Sequence, residues 1–293
     1  MQMDTTQLFP ALNARPSSPT LGIKQLSPAL GAEIVGVDLR KELDGARFAQ
    51  ILDAWHENLV LLFRDQQLTE EDQIRFAERF GPLVMLETKK FIRSHPAVLL
   101  VSNIREDGKP IGLAPDGELQ FHSDQCHQER PAAGTFLYAI EISSKGGDTL
   151  FANAYKAYER LPDWVKRRIE GRKALNAYDT AAGPTNRRGG VALDAPSYAH
   201  PVVRVHPVTG RKALYVNRLM TMRIEDLPPE ESEELLNTLF DHQERPEFIY
   251  RHVWRPGDLL MWDNRCVVHA RTDFSAHERR LLLRVTTLGE KPI

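Results

Sequence analysis

The stretch FHSDQCHQER, residues 121–130, places His122, Asp124 and His127 within six positions. An imidazole and a carboxylate two positions apart suit one shared metal ion, because an extended segment puts both on the same face. Such a pair needs a third ligand. Two histidines and one carboxylate make the facial triad of non-haem Fe(II) oxygenases, and the same set also suits zinc. The C-terminal third supplies a candidate: RPGDLLMWDNRCVVHARTDF puts His269 at the end of an apolar strand, a rigid place for a ligand. Arg280 and Arg284 follow at even spacing, and the apolar run LLLRVTTL around Arg284 predicts burial. A buried guanidinium needs an anion.

Taken in order, these residues fall into a longer pattern. H-x-D at His122 and Asp124 is followed, after 24 intervening residues, by Thr149 in GGDTLFAN, and His269 is followed after ten more by Arg280. This resembles the taurine dioxygenase group (TauD/TfdA-like) of Fe(II)- and 2-oxoglutarate-dependent dioxygenases. The likeness runs from about Leu21 to Pro292 and includes LGAEIVGVDLR, FGPL, KGGDTLFANAYKAYERLP, HPVVRVHPVTGRKALYVN, TMRI and PGDLLMWDNRCVVH.

The resemblance implies that His122, Asp124 and His269 are the iron ligands and the catalytic centre, with 2-oxoglutarate and then O2 taking the open positions. The far carboxylate of 2-oxoglutarate would meet Arg280, supported by Thr149. It implies a hydroxylase that releases succinate and CO2; iron halogenases of this kind lack the carboxylate that Asp124 supplies. Arg284 matches the arginine that grips the substrate's anionic head group, so a small organic anion is expected. The rest of the substrate pocket departs from the family pattern. Leu86 and Lys89 stand where a family member carries His and Tyr, Glu118 where an Asn is expected, and Met220 where a pocket Phe is expected. Taurine itself is therefore disfavoured, and sulfonates without an amine, sulfate esters, aryloxyalkanoates and other carboxylates stay open. Gln125, through its backbone N–H, and His127 are candidate pocket-lining groups, the ligand set being complete without His127. Cys126 is either a packing residue or an oxidation-prone neighbour of the iron. Trp262, Asp263 and Asn264 are expected to orient the strand that carries His269. Two other readings of the triad remain: a zinc hydrolase, which lacks an H-E-x-x-H helix and leaves Thr149 and Arg280 unexplained, and a non-catalytic binding protein on the same barrel.

The elements that must position these residues are legible in outline. RFAQILDAWHENL (47–59) carries Phe48, Ile51, Leu52 and Trp55 at helical spacing, and Thr69 followed by acidic residues starts a second helix that ends at Gly81. LGAEIVGVDL (30–39), VLLFRDQ and AVLLVSN (97–103) read as strands, and 103–152 as strand-like with glycine punctuation. Pro162 should split YKAYERLPDWVKRRIEG (155–171) into two short helices. Residues 176–200 show no period and suggest a long excursion, a candidate lid. HPVVRVHPVTGRKALYVN (200–217) reads as a hairpin turning at Thr209-Gly210, PEESEELLNTLFDHQ (229–243) as an amphipathic helix, and four strands close the chain. Short strands around one core, with helices at the start and in insertions, predict an α+β fold with a β-sandwich or barrel at its centre. The resemblance sharpens this to a double-stranded β-helix, or jelly roll, spanning 21–293 as one domain behind a flexible arm at 1–20.

Composition narrows the partners. With 42% hydrophobic and 27% charged residues, the 293-residue chain can bury a full core. A formal net charge of −2 and a pI of about 6.6 give no basic field for nucleic acid or anionic membranes. No apolar run reaches a bilayer's span and the N-terminus lacks a signal-peptide pattern, so a cytoplasmic protein is expected. Cys126 and Cys266 are too few for a disulfide framework; reduced thiols or a single bridge fit. The family resemblance also implies a homo-oligomer, a dimer or tetramer.

Overall fold

The computed structural model describes residues 20–86, 91, 94–113, 117–178 and 194–293. Strands β1 (Gly22–Gln25) and β2 (Ala32–Val35) precede helix α1 (Gly45–Asn58), strand β3 (Val60–Phe63) and helix α2 (Glu70–Glu78). Next come β4 (Leu99–Ser102), a short hairpin of β5 (Arg105–Glu106) and β6 (Lys109–Pro110), then β7 (Leu119–His122), β8 (Ala132–Glu141) and β9 (Thr149–Asn153). Helices α3 (Ala154–Glu159) and α4 (Asp163–Ile169) lead into β10 (Lys173–Ala177), β11 (Ser197–Pro201), β12 (Val203–Val205), β13 (Lys212–Leu214) and β14 (Thr221–Ile224). Helix α5 (Pro229–Gln243) then precedes β15 (Ile249–His252), β16 (Leu259–Asp263), β17 (Val267–Arg271) and β18 (Leu281–Leu288).

Helix starts follow their caps. The Asp44 carboxylate accepts from the Arg47 N–H at the start of α1, and Thr69 with Asp72 forms a reciprocal capping box at α2. Pro162 separates α3 from α4 as its missing N–H predicts. The strand expected over 30–39 is confined to β2. Beyond it the Gln66 side chain replaces a partner strand, accepting from Leu39 N (3.0 Å) and donating to Val37 O (2.9 Å). The excursion expected at 176–200 is bounded by a strand pair, β10 with β11, in register Ala174↔His200. Residues 179–193, and with them any lid, lie outside the described residues, as do the arm at 1–19 and Lys89.

Two sheets frame the site. A seven-stranded sheet runs β1-β2-β3-β16-β8-β18-β4, and a four-stranded sheet runs β15-β9-β17-β7. Consecutive strands β7, β8 and β9 alternate between them, and so do β15 to β18. The period of two sorts each strand's residues into separate cores. Leu61, Phe63, Phe136, Tyr138, Leu259, Met261, Leu283 and Val285 pack with α1 and α2 through Ile51, Trp55 and Phe76. Their alternates Val60, Leu62, Leu137, Ala139, Leu260, Trp262 and Leu282 cluster with Phe151 and Val267 of the smaller sheet. Each such large apolar side chain contributes roughly 1.5–3 kcal/mol when fully buried. From α2, the buried Gln73 amide donates to Phe136 O and Leu283 O, both at 3.0 Å, tying β8 to the strand that carries Arg284. α3 and α5 form an accessory core with β10, β13 and β14 through Ala157, Leu214, Ile224, Leu236 and Phe240.

Candidate active site

His122 ends β7 and His269 lies on β17, and antiparallel pairing sets the two directly opposite each other, with ring centroids 4.1 Å apart. Asp124 does not reach them along an extended strand, as the spacing suggested. The chain turns after His122: Gln125 adopts a left-handed backbone (φ 57), Cys126 N–H bonds back to Ser123 O, and Gln128 N–H bonds to Gln125 O. The turn is held by Asn264, just after β16, whose Oδ1 accepts from Asp124 N (3.2 Å) and whose carbonyl accepts from Ser123 Oγ (2.9 Å). Asn264 Nδ2 donates to Thr135 Oγ1 (2.8 Å), and that hydroxyl donates to Asp124 Oδ2 (2.7 Å). Asn264 thus orients the carboxylate and, accepting from the Trp262 indole N–H (3.0 Å), also holds the ring that packs on His269 at 4.7 Å; Asp263 bonds His206 and Arg265.

The three ligand atoms lie within 4.8 Å of one another: His122 Nε2 is 3.9 Å from Asp124 Oδ1, and His269 Nε2 is 4.0 Å from Asp124 Oδ2. His122 Nδ1 must carry the proton, since its partner at 2.9 Å is the Gln120 carbonyl, so Nε2 presents a lone pair. Burial, with the neighbouring His122, brings the His269 pKa down to about 3, and burial also lowers that of His122. Burial alone would raise Asp124, but the Arg284 charge, then His269 and His122, then the Thr135 hydroxyl bring it to about 2. Two neutral imidazoles and one ionised carboxylate, all buried, fit a divalent cation.

A cavity of about 230 Å³ opens from this set. At one end stand Thr149, Arg271 and Arg280; Arg284 lies on its wall, flanked in register by Leu99 and Leu137. Arg280 is 1% exposed, and its Nε and Nη1 have no hydrogen-bond partner among the described residues. Burial and then the Arg271 charge lower its pKa to about 9. KGGDT makes room for it: Gly147 sits at φ +69, a Cβ there would fall 3.1 Å from Arg280 Nε, and its carbonyl accepts from Arg280 Nη2 at 3.3 Å. Thr149 Oγ1 is fixed by the Trp254 indole N–H (3.0 Å). Arg284 Nη1 donates to Asp124 Oδ1 at 3.2 Å. The remaining walls are mostly apolar, from Leu99, Val101, Leu113, Leu119, Leu137, Leu219 and Met220, with Tyr178 and His127 in ring contact at 5.4 Å.

The structure therefore brings His122, Asp124, His269, Thr149, Arg280, Arg284, Gln125 and Met220 to one cavity. It does not bring Leu86 or Glu118. Leu86 is tied through its N–H to Pro96 O, and Glu118 is exposed beside Gly117; neither lines the cavity. His127 is a neutral cavity residue, its pKa lowered to about 4 by burial. Cys126 is a packing thiol: burial pushes its pKa to about 12, and it contacts Met220 Sδ (3.4 Å) and Asn217 Nδ2 (3.3 Å). Both cysteines are free. Arg271 and Tyr178 escaped the sequence reading. For Arg271 a signal existed, its spacing of two from His269 on one strand; for Tyr178, at the edge of an aperiodic stretch, there was none.

A buried pair of histidines with one carboxylate, opening on a cavity whose far end is cationic, defines a site for a divalent ion and an anion together. The chain belongs to the family described as taurine catabolism dioxygenase TauD, TfdA, which matches residues 22–286. It is 35% identical to pentalenolactone F synthase of Streptomyces avermitilis over 88% of this chain and 91% of that protein. It is 34% identical to (S)-phenoxypropionate/alpha-ketoglutarate-dioxygenase of Sphingobium herbicidovorans, over 93% and 96%. A solved taurine dioxygenase from Burkholderia xenovorans superposes with a TM-score of 0.80 at 32% identity, covering 94% and 93%. Of the readings open from the sequence, membership selects the oxygenase: an Fe(II)- and 2-oxoglutarate-dependent oxidoreductase that uses O2. Among the described residues no helix is long and apolar enough to cross a membrane.

Proposed function

We propose that this enzyme hydroxylates a C–H bond of a small organic anion with an apolar body, releasing succinate and CO2. The observation that carries the reading is one cavity joining the His122–Asp124–His269 set to Arg284 and Arg280 through largely apolar walls. His122, Asp124 and His269 would hold the iron, which when bound supplies oxidative decarboxylation of the 2-oxo acid coupled to C–H oxidation. Arg280 and the Thr149 hydroxyl would take the far carboxylate of 2-oxoglutarate, the anion that a buried guanidinium with two unpartnered nitrogens calls for. Arg284, 26% exposed on the cavity wall, would anchor the substrate anion. The leucines, Met220 and Tyr178 would surround its body and exclude water from the reacting bond, while the neutral His127 and the Gln125 backbone offer polar contacts.

Sulfonates, sulfate esters, aryloxyalkanoates and other carboxylates match this description. Taurine fits less well: Asp124 is the one carboxylate among the described lining residues, and it belongs to the metal set, so those residues offer an ammonium no counter-ion. The alternation of β7–β9 and β15–β18 between two sheets supports reading residues 21–293 as one double-stranded β-helix domain.

Anaerobic addition of Fe(II) and 2-oxoglutarate should produce a visible metal-to-ligand charge-transfer band that is lost in His122→Ala. No band in the unmodified protein would refute the assignment. Succinate release across a panel of the anions above then reports the substrate. Arg284→Ala should weaken binding of that substrate by about tenfold or more, as expected for one charge-assisted contact; unchanged turnover and affinity would rule Arg284 out.

A further inference from the structure

The cationic end of the cavity holds one more guanidinium than the assignment above uses. Strand β17 presents alternate residues to the interior, so Arg271 shares a face with His269. Antiparallel pairing sets Arg271 directly across from Thr149. Both residues line the cavity with Arg280, and both arginines face the same aromatic ring: their guanidinium carbons lie 5.0 and 5.6 Å from the Phe274 centroid. Asp148, the acidic residue next to Thr149 in sequence, accepts from Arg251 Nε at 2.7 Å, and its charge favours the Arg280 cation less than burial and Arg271 disfavour it. Arg280 meanwhile keeps two buried nitrogens, Nε and Nη1, without a partner among the described residues. The Arg271 charge disfavours the neighbouring Arg280 cation, and a carboxylate at the unpartnered Arg280 nitrogens would offset that repulsion.

We propose that Arg271 is a second cationic contact for the far carboxylate of the 2-oxo acid, which Arg271, Arg280 and Thr149 grip together. The proposal rests on the placement of that carboxylate at Thr149 and Arg280. It makes Arg271 a specificity residue, one that selects 2-oxo acids with a terminal carboxylate over those without. Arg271 also donates through Nη2 to Gly117 O, just before β7, so the anion contact is braced against the segment leading to His122.

The test compares two oxo acids by anaerobic titration of the Fe(II)-loaded enzyme, read from the charge-transfer band rather than from turnover. For Arg271→Gln, the dissociation constant of 2-oxoglutarate should rise about tenfold or more, while that of 2-oxobutyrate, which has no far carboxylate, stays within about twofold. Arg271→Lys, which keeps the charge and loses the planar fork, should reduce the preference for 2-oxoglutarate less, by about threefold or more. It carries the test if the glutamine variant does not fold. An unchanged 2-oxoglutarate constant in either variant would overturn the proposal. Equal weakening of both acids would also overturn it, assigning Arg271 to bracing the Gly117 segment alone. Absence of a band in the unmodified enzyme would instead refute the underlying metal and oxo-acid assignment.

Discussion

His206, Asp263 and Cys266 are gathered as tightly as His122, Asp124 and His269: in both groups the possible ligand atoms fall within 4.8 Å and all three residues are buried. In the first group every strong donor and acceptor is spent. His206 Nδ1 accepts from the Val208 and Thr209 N–H groups, so Nε2 carries the proton and donates it to Asp263 Oδ2 at 3.0 Å. Arg265 grips both Asp263 oxygens at 2.7 Å. The Cys266 thiol is held protonated by burial and by the Asp263 charge. In the second group His122 presents a bare Nε2, His269 turns its Nε2 toward Asp124 at 4.0 Å, and a cavity adjoins all three residues. Ligand-type residues in proximity do not make a metal centre; lone pairs left over after folding, and room in front of them, do.

The largest expected difference is in catalysis. His269→Gln should lower turnover on the order of 10³-fold or more, a loss of roughly 4 kcal/mol in transition-state stabilisation, with Fe(II) affinity falling alongside it. Succinate release and metal titration measure this, and near-normal turnover would break the contrast. Asp263→Asn should act in the opposite sense. It leaves Arg265 and His206 buried without their carboxylate, which costs about 3–5 kcal/mol of unfolding free energy. The denaturation midpoint of the metal-free protein should fall much further than in His269→Gln, while the folded fraction still binds Fe(II) and 2-oxoglutarate.

The smallest effect lies in the pH dependence of the metal-free fold. His269, at about 3, and His127 and His200, both at about 4, have folded-state pKa values below the ordinary 6.5 because burial disfavours the cation. The stability linked to their neutral forms is complete above pH 6.5 and is lost as pH falls through the folded-state values of about 4 and 3. Thermal unfolding between pH 7 and pH 4 should show this decline, with a shallower slope in His269→Gln; identical slopes would mean that His269 does not titrate as placed.

Regular elements were legible wherever local chemistry decides them. The caps Asp44 and Thr69, the break at Pro162, the hairpin at Thr209-Gly210 and the apolar stripe of α5 all depend on neighbours within a few residues. The site was legible where residue type and order suffice, at His122, Asp124, Thr149, His269, Arg280 and Arg284. It failed at positions placed by an ungapped match: Leu86 and Glu118 do not line the cavity, because such a match fixes a position along the chain and not where its side chain lies in space.

Sequence by itself determined which chemical groups this protein has and in what order, because ligand identity and spacing along a strand are properties of the chain. Tertiary structure alone decided which of those groups remain unspent. Asp124 meets His122 only because Asn264, 140 positions away, holds the turn, and His206 is excluded as a ligand only because Asp263 and two backbone N–H groups take its nitrogens. Arg271 faces Thr149 only through the register of two strands 118 positions apart, from β9's Thr149 to β17's Val267. Hydrogen-bond saturation and cross-strand register depend on partners distant in sequence, and folding is what brings them together.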